Sequence, residues 1–303
     1  ALCPELEAKL KEYRQSRNFN PQTWSDSRCH QLLVYLKNCN LNSVVISISG
    51  GVDSSSVLAL LVKAQDLAPP DHPFYPSNGG KIVAITQPIH STPSIQNRAY
   101  EVAEAFGFVR STPDTAASSR LLVVIEQTSE FDSLTATIEG QTGAVNGFSK
   151  SMFKSYMRTP TAYLLASHFR GVVVGTGNLD EDGYLYYYCK FGDGAVDVGL
   201  IWDIHKSEVF TVAGFLGVPK SILDAPPSAD LAPDQTDEAE IGATYDMIEI
   251  ITGWWNNTPE GERAVWVNTL SEEARNQFNT EFERVDAIHR RGSHKADLNP
   301  KNM

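Results

Sequence analysis

The sequence lacks several features, and each absence closes off a class of protein. No run reaches the roughly 18 apolar residues that a membrane-spanning helix needs, so no membrane partner is expected. Its four cysteines, Cys3, Cys29, Cys39 and Cys189, contain no C-x-x-C pair. Neither a zinc site nor a disulfide framework is suggested, and free thiols in a reducing cytoplasm are expected. The opening residues, ALCPELEAKLKEYRQ, are charged and amphipathic, without the apolar centre of a secretory signal. Basic runs are missing as well. At a net charge of −12 the chain shows no surface built to displace counterions from a phosphate backbone, which favours small-molecule chemistry over nucleic acid. Repeats and low-complexity tracts are absent, and no composition shift divides residues 1–303, which read as a single domain.

What is present is an alternation of strand and helix patterns. The first 40 residues are helical in pattern, with apolar positions at helical spacing in LEAKLKEY and CHQLLVYLKNC. Asn42-Ser43 lead into VVISIS, a β-branched run of the kind that forms a buried strand. Gly50-Gly51 break it, and SSSVLALLVKAQ follows as a helix that Asp53 or Ser54 is placed to cap. DLAPPDHPFYPSNGG reads as a surface loop, KIVAIT as a second strand, and SIQNRAYEVAEAFG as a helix ended by Gly107. Between Val109 and Gly147 the pattern is weak, with LLVVIE compatible with strand or helix. A long helix is expected from Phe148 to Phe169 despite Pro160, followed by the strand GVVVGT. The fold class expected is α/β: a doubly wound, Rossmann-like parallel sheet flanked by helices, with a helical C-terminal part. In such sheets ligands bind beyond the carboxyl ends of the strands, where Ser49-Gly50-Gly51 and Gly175-Thr176-Gly177 both fall.

The string Ser47-Ile48-Ser49-Gly50-Gly51-Val52-Asp53-Ser54 carries the chemistry. Two glycines allow close backbone approach to a ligand, and the following helix aims its free N–H groups and positive dipole end at the same point. The serines add hydroxyl donors, and Asp53 adds a carboxylate suited to Mg²⁺ beside phosphate oxygens. The pattern G-x-x-x-x-G-K-[ST] is absent and no lysine follows the glycines, which argues against transfer of a terminal phosphoryl group.

SGGVDSS resembles the signature of the ATP pyrophosphatases, which cleave ATP between the α and β phosphates and make adenylated intermediates. Three further segments are similar to the NAD synthetases within that superfamily. These are GTGNLDEDGYLYYYCKFGDGAVDVGLIWDIHKSEVF at 175–210, APPSADLAPDQTDEAEIG at 225–242, and Ser293-His294-Lys295, all in family order. Taken singly, Lys206 reads as an exposed lysine at a helix start and FGDG as a hairpin turn; the joint order carries the resemblance.

That resemblance implies ATP-dependent amidation of deamido-NAD by ammonia to give NAD, AMP and pyrophosphate. It assigns Asp53 and Lys206 to catalysis. ATP contacts fall on residues 47–54, Thr176, Lys206 and Ser228; substrate contacts fall on Arg158, Lys190, Asp197, His294 and Lys295. Mg²⁺ is expected on Asp53 and Glu181, and the protein is expected to be a homodimer. Between Thr176 and Lys190 the chain is one residue longer than the bacterial pattern, which leaves the second metal carboxylate open between Glu181 and Asp182. Tyr156 stands where the family often has the first of two arginines, and Thr86 where bacterial members carry another. The stretch ahead of the loop is too short for a glutaminase domain, so the expected nucleophile is free ammonia or ammonia from a separate partner. The other readings are a related amide- or thiol-forming ATP pyrophosphatase, such as a GMP synthetase core, and a non-catalytic nucleotide-binding homologue.

Overall fold

A strand buried on both faces must be apolar at every position, not at alternate ones. Val44, Val45 and Ile46 meet that condition with no exposed surface, and they form the centre of the sheet in the computed structural model, which describes residues 1–227 and 236–297. Two helices come first, α1 (Pro4–Arg17) and α2 (Pro21–Asn38), followed by β1 (Ser43–Ser47), α3 (Val52–Leu67) and β2 (Lys81–Thr86). Next come α4 (Pro93–Ala105), β3 (Val109–Arg110), β4 (Arg120–Val124), α5 (Thr128–Thr142), α6 (Gly147–His168) and β5 (Gly171–Gly175).

The six-stranded sheet has the order β3-β4-β2-β1-β5-β6, with β6 spanning Val198–Gly199, and all pairs are parallel. Ser43 pairs with Lys81 on one side and with Gly171 on the other. The chain therefore leaves β1 in one direction and returns on its other side. That switch opens a crevice beyond the carboxyl ends of β1 and β5. Val44 and Ile46 face the core shared with α2 and α3, whereas Val45 faces Ala162 and Ala166 of α6.

The strands and helices expected from sequence are present, and the indeterminate LLVVIE segment is strand because Leu121 and Leu122 register against Val83 and Ala84. α6 runs through Pro160 without ending. Gly107 adopts φ +75° just past α4. One expectation needs correction. The DLAPPDHPFYPSNGG stretch is not wholly surface: it drives Phe74 and His72 into the interior, and Phe74 is fully buried. Gly80 permits this, since a Cβ there would lie 2.1 Å from the Phe74 carbonyl oxygen.

The remainder is helical: α7 (Lys206–Phe215), α8 (Lys220–Leu223), α9 (Asp237–Ile241), α10 (Tyr245–Glu249), α11 (Glu260–Thr269) and α12 (Glu272–Gly292). α7 and α8 pack on the sheet-side core, whereas α9 to α12 together with α1 enclose a second core containing Leu6, Leu10, Met247, Ile248, Ile251 and Phe278. Its centre is aromatic: the Phe278 ring lies 4.9 Å from Trp255 and 5.2 Å from Trp266. Among the described residues no helix is long and apolar enough to cross a membrane. Phe278→Ala is expected to cost about 3–5 kcal/mol of stability, measured by urea denaturation, because the surrounding rings cannot collapse into the space left.

Candidate active site

Gly50 turns the chain from β1 into α3 at φ +82°, a conformation that L side chains rarely adopt. It also lets α4 pack against the loop, since a Cβ there would lie 2.6 Å from Ile95 O and 2.8 Å from Ala99 N. Gly51 occupies the N-cap of α3 with no side-chain cap, so neither Asp53 nor Ser54 caps the helix as expected. Their side chains are engaged elsewhere. Ser54 Oγ accepts from the Ser49 N–H at 3.3 Å and donates to the Gly51 carbonyl at 3.2 Å, and Ser49 Oγ accepts from the Gly51 N–H at 3.2 Å. The loop is thus knitted by hydroxyls, and the first turn of α3 lines the crevice, where a helix start is suited to receive an anion.

Asp53 turns across the crevice to residues beyond β5. One carboxylate oxygen accepts from Asn178 Nδ2 at 2.8 Å, and the other from Lys206 Nζ at 2.5 Å. Lys206 Nζ also donates to Glu181 Oε1 at 2.8 Å and lies 5.0 Å from the centre of the Tyr245 ring. The Lys206 side chain is only 4% exposed. Burial opposes its charge, but Asp53 and Glu181 outweigh that penalty and hold its pKa well above the usual lysine value, so it is an ammonium. Burial pushes the Glu181 carboxyl up, against the downward pull of Lys206. Tyr245 donates to Glu181, and its hydroxyl also lies 3.1 Å from Asp237 Oδ2.

Asn178 organises the opposite wall. Fully buried, it caps a wide helical turn at Leu179–Leu185 by accepting the Asp180 and Glu181 N–H groups, each at 3.0 Å. Asp182 points differently from Glu181. It packs against Gly177, where a Cβ would meet its Oδ2 at 2.0 Å, and burial raises its pKa well above the usual carboxylate range.

A cavity of about 1210 Å³ opens over this cluster. It is lined by all of residues 47–54, by Thr86, Arg98, Arg158, Thr176, Glu181, Asp182 and Lys206, and by His294 and Lys295 from the C-terminal turn. Arg158 Nε donates to the Gln87 carbonyl at 3.2 Å, and Thr86 Oγ1 is buried without a hydrogen-bond partner among the described residues. Two of the expected substrate residues lie outside the lining. Asp197 is exposed and accepts the Val173 N–H at 2.8 Å, which holds the chain before β6 against β5. Lys190 donates to the Asp297 carbonyl, while Lys295 donates to the carbonyls of Tyr186 and Tyr188 at 2.8 and 2.6 Å. Each lysine therefore ties down the other's segment. Ser228 falls outside the described residues. Sequence reasoning missed Asn178, Asp237 and Tyr245; an Asn before an acidic turn is the N-cap signal that would have found the first.

A parallel sheet with an anion-receiving loop and a buried lysine–carboxylate cluster at its switch point defines a nucleotide-phosphate-binding α/β protein. Residues 25–298 match the family described as NAD synthase, and the chain belongs to that family. It is 33% identical over 242 residues to the NH(3)-dependent NAD(+) synthetase of Mesoplasma florum, covering 80% of this chain and 88% of the relative. It is also 33% identical to the NH(3)-dependent NAD(+) synthetase of Methanococcoides burtonii, covering 71% and 72%. Among solved structures, NMN synthetase from Francisella tularensis matches with a TM-score of 0.72 and 26% identity over 94% of this chain and 99% of that one. The NH3-dependent NAD synthetase of Campylobacter jejuni shares the fold at a TM-score of 0.65, with 17% identity over 94% of this chain and 100% of that one.

Gly50→Ala tests the loop. The added methyl meets backbone atoms on α4 and strains φ, so ATP affinity measured by calorimetry is expected to fall at least tenfold. Unchanged affinity would remove Gly50 from the site.

Proposed function

We propose that the chain catalyses the ATP-dependent amidation of deamido-NAD by ammonia, yielding NAD, AMP and pyrophosphate. The observation that carries this reading is the Lys206 ammonium held between Asp53 and Glu181 beside a loop of donor groups. The relatives named NH(3)-dependent NAD(+) synthetases support both the acid to be activated and ammonia as the nucleophile.

The chemistry runs in two steps. A nicotinate carboxylate oxygen attacks the α-phosphorus of ATP. The new O–P bond replaces the bond to the β-phosphate bridging oxygen, which leaves with pyrophosphate. Ammonia then adds to the acyl carbon, and the C–N bond replaces the C–O bond to AMP as a proton passes to solvent. The N–H groups of the 49–54 loop and the start of α3 receive the departing pyrophosphate. Lys206 offsets its growing charge, and the two-carboxylate clamp keeps that ammonium in one place. The C-terminal turn bearing His294 and Lys295 helps cover the cavity and exclude water from the adenylate.

Among the described residues no cluster of three or more acidic, His or Cys ligands surrounds a metal position. Asp53 and Glu181 nonetheless converge on a single cation, Lys206 Nζ, and two carboxylates plus phosphate oxygens are the donor set that Mg²⁺ takes. We therefore assign Mg²⁺ binding to Asp53 and Glu181 in preference to Asp182. When bound, Mg²⁺ neutralises polyphosphate charge.

The likeness to the Francisella NMN synthetase favours a second reading, in which the acid is nicotinate mononucleotide. One assay separates the two. With ATP, Mg²⁺ and ammonium, deamido-NAD is expected to give NAD and pyrophosphate, with loss of product when any component is omitted or when EDTA is added. Faster turnover of the mononucleotide would select the second reading, and no pyrophosphate from either acid would end both.

We also assign the protein to the cytoplasm and to a homodimer. Both assignments rest on the family to which the chain belongs. Sedimentation equilibrium is expected to return twice the 33.3 kDa chain mass, and a monomer at micromolar concentration would exclude the dimer.

A further inference from the structure

Behind Lys206, on the side away from the cavity, lies a chain of buried polar groups that the reaction above does not use. Asp180 and His205 are both 0% exposed. Asp180 Oδ1 accepts from His205 Nδ1 at 2.8 Å and from Thr252 Oγ1 at 2.6 Å. Its Oδ2 accepts the backbone N–H of Lys206 at 2.8 Å. His205 Nε2 shares a hydrogen with the Tyr13 hydroxyl across 2.8 Å, and the two rings meet edge to face at 5.5 Å. The Tyr13 ring is seated on Gly253, where a Cβ would lie 2.3 Å from it.

The placement of this chain is specific. Asp180 adjoins Glu181 in the chain and its carboxylate accepts the Lys206 backbone N–H, so one residue is tied to both partners of the clamp. Burying a carboxylate and an imidazole is expensive, and apolar residues of similar volume commonly fill such positions at no loss of stability. What apolar packing cannot do is fix the direction of a backbone N–H. Tyr13 lies on α1, which ends at Arg17, ahead of the family-matched residues 25–298. The same helix grips α7 a second time, where Arg17 donates twice to Glu208 at 2.7 and 2.8 Å.

We propose that Tyr13, His205 and Asp180 are positioning residues that form a buried tether, through which α1 sets Lys206 and Glu181 at the pyrophosphate loop. This rests on the reading of Lys206 as the cation that works on ATP.

The tests are Tyr13→Phe, which keeps the ring on Gly253, and Asp180→Asn, which keeps the volume. Small misplacements of a reacting group cost up to about a hundredfold in rate. The expected losses in kcat are therefore about tenfold for Tyr13→Phe and about a hundredfold for Asp180→Asn, with KM for the acid substrate within about twofold. The double variant is expected to be no slower than Asp180→Asn alone, because both act through one chain. A merely structural role predicts lower melting temperatures with kcat at 25 °C unchanged, and that result overturns the proposal, as do strictly additive losses. If Asp180→Asn does not fold, Tyr13→Phe decides alone. A crystal structure of Tyr13→Phe supplies a readout without turnover: Lys206 Nζ displaced from Asp53 and Glu181 supports the tether, and an unmoved Nζ overturns it. Absence of turnover in the wild type would instead remove the proposed reaction and leave that structural test standing.

Discussion

The ammonium of Lys206, buried between Asp53 and Glu181, is the interaction on which the rest of the site depends. Removing such a charge from water costs several kcal/mol before any pairing, and a lone lysine there would give up its proton instead. Two carboxylates reverse that outcome, leaving the trio with one net negative charge when both are ionised. Lys206 also opens α7, where the helix dipole presents positive charge and disfavours a cation. Asp180 and Glu208 answer this locally, accepting the Lys206 and His205 N–H groups at the same terminus. The lysine is thus held by carboxylates at both its side chain and its backbone.

Phosphate chemistry here differs from that of a loop that carries its own lysine. The 49–54 loop contributes only neutral donors and a carboxylate, so its cation must come from elsewhere in the chain. Lys206 is 153 residues from Asp53 and reaches it because β1 and β5 pair directly, placing their exits side by side. The site therefore has no local precursor. It forms only once the switch in strand order at β1 has brought the loop, the Asn178 turn and the start of α7 together.

This explains which parts could be read from the sequence. β1, β2 and β5 were legible because strands buried on both faces leave unbroken β-branched runs. The two-residue strands β3 and β6 leave no such trace. Gly50 was legible because its backbone demand is local. The capping role given to Asp53 failed because its carboxylate answers a partner that local sequence cannot reveal. Lys206 alone looks like any exposed lysine at a helix start, and only the order of the surrounding motifs marked it. The same order grouped Lys190 and Asp197 with it, yet their side chains satisfy backbone groups: Asp297 for one, Val173 for the other. Asn178, Asp180, His205 and Tyr245 went unread because each acts on another side chain or on the backbone.

The clamp also lies where two cores meet. Asp53 and Asn178 belong to the sheet side, while Tyr245 and Thr252 rise from the helical core that holds α1, α10 and α12. Tyr245 donates to Glu181 and Thr252 to Asp180, so two of the three acidic residues of the wide turn are fixed from the helical side. A shift between the cores would part Lys206 from one carboxylate and leave a buried charge uncompensated, which costs about 3–5 kcal/mol. The electrostatics of the site therefore act as a lock on the arrangement of the cores, and that arrangement keeps the ammonium in register with the loop. Stability and chemistry draw on the same few contacts, so the fold does not need an exceptionally rigid loop to hold its charge in place.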